Sequence, residues 1–273
     1  MTKKSVESIN RKKKLIVIPI IIYLIWILAT YLLEGRISLL QKPDPQGRFM
    51  YVVVANIAVG TVIAIWLLKP SISSGFLTIR QLGFQSVKRI LIGVTIAGVI
   101  GFILFIAQRP ATLDPVIVLN IFAQTLPGSI AEVVVCWAAI GTTFESVARS
   151  KGRIISIILG AAIATMLFGI YHFAHSPPFN EPEVVLFLMY PGILTSLVYF
   201  IGRDIYATII FHNFQALFGV MMSVNIVSFT QPLYPILILA AVSVLVLAIL
   251  DLMLIRKTDH GLPAFSKTPR IIF

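Results

Sequence analysis

LIVIPIIIYLIWILATYLL, residues 15–33, runs nineteen residues without a charge, directly behind Arg11-Lys12-Lys13-Lys14. A helix needs about 20 mostly apolar residues to cross the roughly 30 Å hydrocarbon layer of a bilayer. In lipid, every backbone N–H and C=O must be bonded internally, so spanning segments are helices or closed barrels. The run has none of the apolar–polar alternation of a barrel strand. It also exceeds the about 7–15 residues of a signal-peptide core, and no small-residue cleavage site follows. It reads as an uncleaved first helix or signal anchor.

Seven more such stretches follow, at 51–68, 90–107, within 116–144, 154–174, 184–202, 205–227 and 236–255. The expected fold is therefore all-α: a polytopic membrane protein of about eight transmembrane helices. Composition agrees. Of 273 residues, 58% are hydrophobic and 12% charged, against about 45–50% and 25% for a soluble domain. This excludes a soluble globular enzyme, a disordered chain and a disulfide scaffold; Cys136 is the single cysteine.

The formal net charge of +11 would suggest nucleic acid, but the positions of the bases do not. Segments on the side of the N-terminus carry 18 of the 22 Lys and Arg, and the opposite side carries 4. By the positive-inside rule both termini are cytoplasmic. The expected partner is the lipid bilayer, with anionic headgroups near the basic segments, and no nucleic acid. The chain reads as a single membrane domain over 1–273, with a basic N-terminus over 1–14 and a polar, loosely ordered tail over 258–273. The expected location is a prokaryotic cytoplasmic membrane or an equivalent internal membrane.

Between the spans, residues 69–89 form a cytoplasmic connector. Phe76-Leu77-Thr78-Ile79-Arg80-Gln81-Leu82-Gly83-Phe84 suggests a short interfacial helix on the bilayer surface, with a plain loop as the alternative. Pro127-Gly128 is expected to divide 116–144 into a short upstream helix and a true span starting near Ser129. Pro191-Gly192 is expected to kink the sixth helix.

An ionisable group inside a span is a functional-site hypothesis by default. Glu132, His172 and His212 qualify. His175 is expected at the exit interface, and Asp251 is expected to reach the interface near Arg256. Glu145 and Arg149, at i,i+4, read as a surface ion pair. Glu132 lies 17 residues from Arg149, and His172 lies 19 from Arg153. At about 1.5 Å per residue, both reach a similar depth. His212, nine residues from Arg203, comes out shallower unless Arg203 and Asp204 dip inward.

A carboxylate and an imidazole at one buried depth can activate water. A second imidazole, His212, with the nearby amide of Asn213 or Gln215, could stabilise an oxyanion. Three alternatives stay open: a Glu–His hydrogen bond that locks two helices, amides acting as interhelical glue, and a metal site from Glu132, His172, His175 and His212.

The chain resembles the CPBP intramembrane proteases, the group that includes type II CAAX prenyl endopeptidases and bacteriocin-processing homologues. Leu126-Pro127-Gly128-Ser129-Ile130-Ala131-Glu132-Val133-Val134-Val135-Cys136-Trp137 is similar to the family's Glu-Glu-x-x-x-Arg helix. Phe168-Gly169-Ile170-Tyr171-His172 is similar to its Phe-x-x-x-His. The stretch from Gly192 through Tyr199 to His212-Asn213-Phe214-Gln215-Ala216 is similar to its final His-x-x-x-Asn helix. The likeness covers 126–220. Ala131, Cys136 and Ala216 depart from it, standing where the first glutamate, the arginine and the asparagine are expected. A rival registry takes Glu145 and Arg149 as the Glu-x-x-x-Arg.

The resemblance implies a metal-independent intramembrane endopeptidase acting on a membrane protein or peptide, with no cofactor and no metal. Glu132 and His172 would activate water; His212 and Asn213 would bind the oxyanion. The departures leave a catalytically inactive scaffold, assembly or immunity factor as the alternative. A transporter is a further one, suggested by the two Pro-Gly sites and the midplane ionisable groups.

Overall fold

The computed structural model describes residues 3–41, 44–224 and 226–256. The tail expected over 258–273, with His260, lies outside them. Among the described residues there is no strand, and eight helical segments are long and apolar enough to cross a membrane. They are Leu15–Gly35, Pro45–Ser73, Val87–Ala107, Pro115–Lys151, Arg153–Ala174, Pro182–Gly202, Ile205–Ser223 and Tyr234–Met253. The protein is a multi-pass, all-α integral membrane protein. Its outer surface suits lipid: Ile92, Ile96, Ile154, Ile158, Leu186 and Phe187 are exposed on three of the spans.

The fourth span is the post around which the others pack. It contacts the first, second, fifth, seventh and eighth. It begins with Asp114, whose carboxylate accepts from the backbone N–H groups of Val116 (2.9 Å) and Ile117 (3.1 Å), and with Pro115 in the first turn, where a missing N–H costs nothing. The expected break at Pro127-Gly128 does not occur, since the segment stays helical from Pro115 to Lys151. Neighbouring side chains hold the disturbed turn, as they can in a bundle. The Asn213 amide donates to the Phe122 carbonyl (3.0 Å) and accepts from Ser129 Oγ (2.9 Å), bridging the proline. Beyond Glu132 the ladder widens to i→i+5 bonding, and every residue of Val133–Gly141 is buried. The sixth span likewise runs helically through Pro191.

The fourth and fifth spans cross closely at a pair of glycines. A Cβ on Gly160 would lie 2.6 Å from the Gly141 carbonyl oxygen. Small residues at such crossings let helices associate in lipid, where apolar burial alone gives no drive.

The connector is not an interfacial helix. The second span ends at Ser73 and the chain continues in turns to Gln85. Leu77, Leu82 and Phe84 are buried in the main core, filling the end of the bundle rather than lying on lipid. Their spacing of five and then two residues fits no single helix face. Gly83 (φ +87°) makes the turn possible, and its carbonyl accepts from Ile205 N (2.9 Å) at the start of the seventh span.

Two expectations about charges also change. Glu145 does not pair with Arg149; it is buried and grips Arg203 through both carboxylate oxygens (2.6 and 2.7 Å). Arg149 donates to Ser146 Oγ instead (3.1 Å). Asp251 does not reach the interface. It is buried and accepts from the Tyr206 hydroxyl (3.1 Å).

Candidate functional site

Glu132 and His212, on the fourth and seventh spans, meet directly: Glu132 Oε2 lies 2.6 Å from His212 Nε2. His212 is therefore not shallow. Its anchors are drawn inward, as the alternative allowed. Arg203 is pulled onto buried Glu145, and Asp204 is buried, accepting from Ala207 N to cap the helix. The 74–86 turns close over both.

The hydrogen bonds around His212 fix its proton count. The Thr195 hydroxyl donates to the Pro191 carbonyl (2.8 Å), so it accepts from His212 Nδ1–H (2.9 Å). Nε2 and the Glu132 carboxylate then share one further proton, and the dyad is neutral overall. Both His212 nitrogens are engaged, so neither presents a free N–H to an oxyanion. Asn213 is fully buried and bonded to Ser129 and Phe122. It does not line the cavity described below.

His172 and His175 come from the end of the fifth span. The α-helix stops at Tyr171 and tightens to a 3₁₀ turn over His172–Ala174. Residues three apart eclipse in such a turn, which brings His175 under His172 instead of letting it out to the interface. The two rings lie 5.3 Å apart. His172 Nδ1–H donates to the Phe168 carbonyl (2.8 Å), so Nε2 carries the lone pair. His175 Nδ1 bonds Glu34 (3.0 Å), and its Nε2 is buried without a hydrogen-bond partner. One donor atom each from Glu132, His172 and His175 fall within 4.8 Å of one another.

Glu34 is the residue sequence reading missed. It follows directly on the nineteen-residue apolar run. It is wholly buried, and it accepts from the backbone N–H of Ser176 (3.0 Å) and from its hydroxyl as well as from His175. Gly35 permits the approach, since a Cβ there would collide with the Ala174 carbonyl. The usable signal was a lone carboxylate followed by glycine at a span end.

These groups floor a cavity of about 670 Å³, within the roughly 300–1,000 Å³ range of ligand sites. Its walls are largely apolar, with Tyr51, Leu188 and Leu239 among them, and it extends past Leu39, Arg48 and Phe229. Its outer lining comes from the segments after the first and seventh spans, at the end opposite the basic N-terminus.

Models of protein families, curated proteins and solved structures give no match to this chain.

Chemically, the floor offers two lone-pair imidazole nitrogens, one carboxylate tied to an imidazole, and a second carboxylate behind His175. Such a set can take a proton from water and return it, or hold a cation. Around it the fourth span is packed tight. Ala131 and Cys136 are fully buried, and a Cβ on Gly60 would lie 2.5 Å from that of Ala131. No carboxylate would fit at 131 without repacking; the second carboxylate near the site is Glu34, from the first span.

Proposed function

We propose that this protein is a CPBP-like intramembrane endopeptidase that hydrolyses a membrane protein or peptide with a water activated at Glu132 and His172. The observation that carries the reading is the convergence of Glu132, His172, His175 and His212, from three different spans, on one apolar cavity large enough for a peptide segment.

In the proposed reaction, the attacking water hydrogen-bonds to the second oxygen of Glu132, and His172 Nε2 takes its other proton as the water oxygen bonds to the scissile carbonyl carbon. The Glu132–His212 dyad faces the same point and moves its shared proton to the leaving nitrogen as the C–N bond breaks. The products are a new carboxyl and a new amino end. General acid–base assistance of this kind contributes about 10²–10⁴-fold. His212 is a positioning residue for Glu132 in this scheme, held by Thr195. The apolar walls favour a substrate segment of apolar side chains, and the 18-to-4 base asymmetry opens the cavity away from the cytoplasm.

A second reading is a binding protein without catalysis, favoured by the tightly packed Ala131 and Cys136 where a catalytic helix would carry a carboxylate and a base. The two readings separate in one comparison. Membranes from cells making the wild-type chain are compared with membranes from cells making Glu132→Ala, by mass spectrometry of new peptide termini. Termini present only with the wild type support the endopeptidase. Identical sets of termini overturn it.

A further inference from the structure

We infer that Glu132, His172 and His175 form a binding site for one divalent transition-metal ion of the Zn²⁺ class. The inference concerns the same cavity as the proposed peptidase and rests on that reading only for what the ion would do there; with an ion bound, His172 Nε2 would be one of its ligands and not the base that takes the proton from water.

Three observations carry it. The donor set is right: two imidazoles and one carboxylate is a zinc-enzyme combination that leaves a fourth position open for water. The donor atoms already converge within 4.8 Å of one another. A tetrahedral ion with ligands at about 2.1 Å needs its donors roughly 3.4 Å apart, so small side-chain rotations complete the contraction.

The second observation is the shell behind the donors. Metal-bound histidines give their other N–H to a carboxylate or a backbone carbonyl, and ligating carboxylates are themselves hydrogen-bonded. All three groups have such a partner here. His172 Nδ1 is on the Phe168 carbonyl, His175 Nδ1 is on Glu34, and one oxygen of Glu132 is on His212. With both Nδ1 atoms engaged, Nε2 of each ring is the nitrogen left for an ion. Glu34 is buried whole and holds His175 Nδ1 together with the backbone N–H and hydroxyl of Ser176, so the ring behind the cluster is fixed from both sides.

The third observation is what the cluster lacks. His175 Nε2 is buried without a hydrogen-bond partner, an arrangement that costs free energy unless something accepts its lone pair or bonds it. His212 and Asn213 are also not free to donate to a developing oxyanion, because they are engaged by Thr195, Glu132, Ser129 and Phe122. A cation between the three donors meets both needs. It takes the orphan lone pair and supplies the positive charge that polarises a carbonyl and acidifies its bound water.

The test uses the full-length chain, purified in detergent without a histidine tag and stripped with a chelator. Zn²⁺ and Co²⁺ are added back separately. Bound metal is counted by plasma mass spectrometry, and Co²⁺ coordination is read from its visible absorption. Wild type is expected to bind one ion per chain, with the intense visible bands of a four-coordinate site. His172→Ala and His175→Ala should lose that ion. Glu34→Gln, which keeps size and shape, should keep the stoichiometry with affinity about 10–100-fold weaker. Wild type that stays empty overturns the proposal, as does His175→Ala binding as tightly as wild type in a folded, monodisperse sample. Full peptide cleavage by stripped wild type overturns the ion's part in the reaction and leaves the peptidase standing. The expected binding pattern without any cleavage leaves the metal site standing and overturns the peptidase.

Discussion

Glu132 and His212 are 80 residues apart in the chain and 2.6 Å apart in the fold. Nothing but the packing of the fourth and seventh spans brings them together. Thr195 reaches in from the sixth span to set which nitrogen of His212 carries the fixed proton.

That orientation is testable by itself. Thr195→Val keeps the shape and removes the acceptor for His212 Nδ1. The dyad then loses its fixed tautomer, and kcat/KM for peptide cleavage should fall about 10–100-fold, as for other partners that orient an active group. Thr195→Ser should restore most of it. Equal activity in all three proteins would remove His212 from the scheme.

At the other end of the bundle, Glu145 and Arg203 form a two-point ion pair with side chains only 10% and 18% exposed. Removing one partner strands a largely buried charge, so Arg203→Met should destabilise the protein by about 3 kcal/mol, and Glu145→Gln similarly. The double variant should regain much of that loss. A double-mutant cycle on detergent unfolding checks it; strictly additive losses would contradict a direct pair.

Asp204 sits between the sixth and seventh spans. Burial pushes its carboxyl above the ordinary range, against the opposing pull of the Ala207 N–H and Arg89. The folded protein therefore holds this proton more tightly than the unfolded chain. The stabilisation is full below the ordinary carboxylate value near 3.9 and is lost as pH rises through the raised folded-state value. Asp204→Asn keeps a helix cap without the charge. Thermal unfolding from about pH 4 to 7 should show a flatter profile for the variant and higher stability than wild type at the upper end. Parallel profiles would contradict it.

Much of the architecture was legible because lipid imposes a simple rule. Long uncharged runs had to be helices, and all eight fall where the periodicity-free apolar stretches put them. What was not legible depended on side chains crossing between spans. Pro127 looked like a break because the sequence does not show that Asn213 bridges it. The 76–84 stretch looked like a surface helix because apolar content alone cannot distinguish lipid from a hole in the bundle. Glu145 has a plausible i+4 partner in Arg149 and a better one 58 residues away. In the site, Glu132 and His172 were found as charges where none should be. Glu34 escaped because it stands one residue past an apolar run, and His175 because a tightened turn, invisible in the sequence, folds it back.

The orientation of the cavity can be read with single cysteines. Cys136 is wholly buried, so the wild-type chain gives no background with a membrane-impermeant maleimide. Ala111→Cys, between the third and fourth spans, should label in intact cells. Ser150→Cys, at the opposite end of the fourth span, should label only after permeabilisation. The reverse pattern would turn the cavity toward the cytoplasm.

The central claim is that Glu132 and His172 together activate the attacking water. It is tested most directly by cleavage of an apolar peptide by the purified protein in liposomes, comparing wild type with Glu132→Ala and His172→Ala at equal folded concentration. The account predicts cleavage by wild type and a loss of at least about 10²-fold in each variant. Full activity in both variants would contradict it.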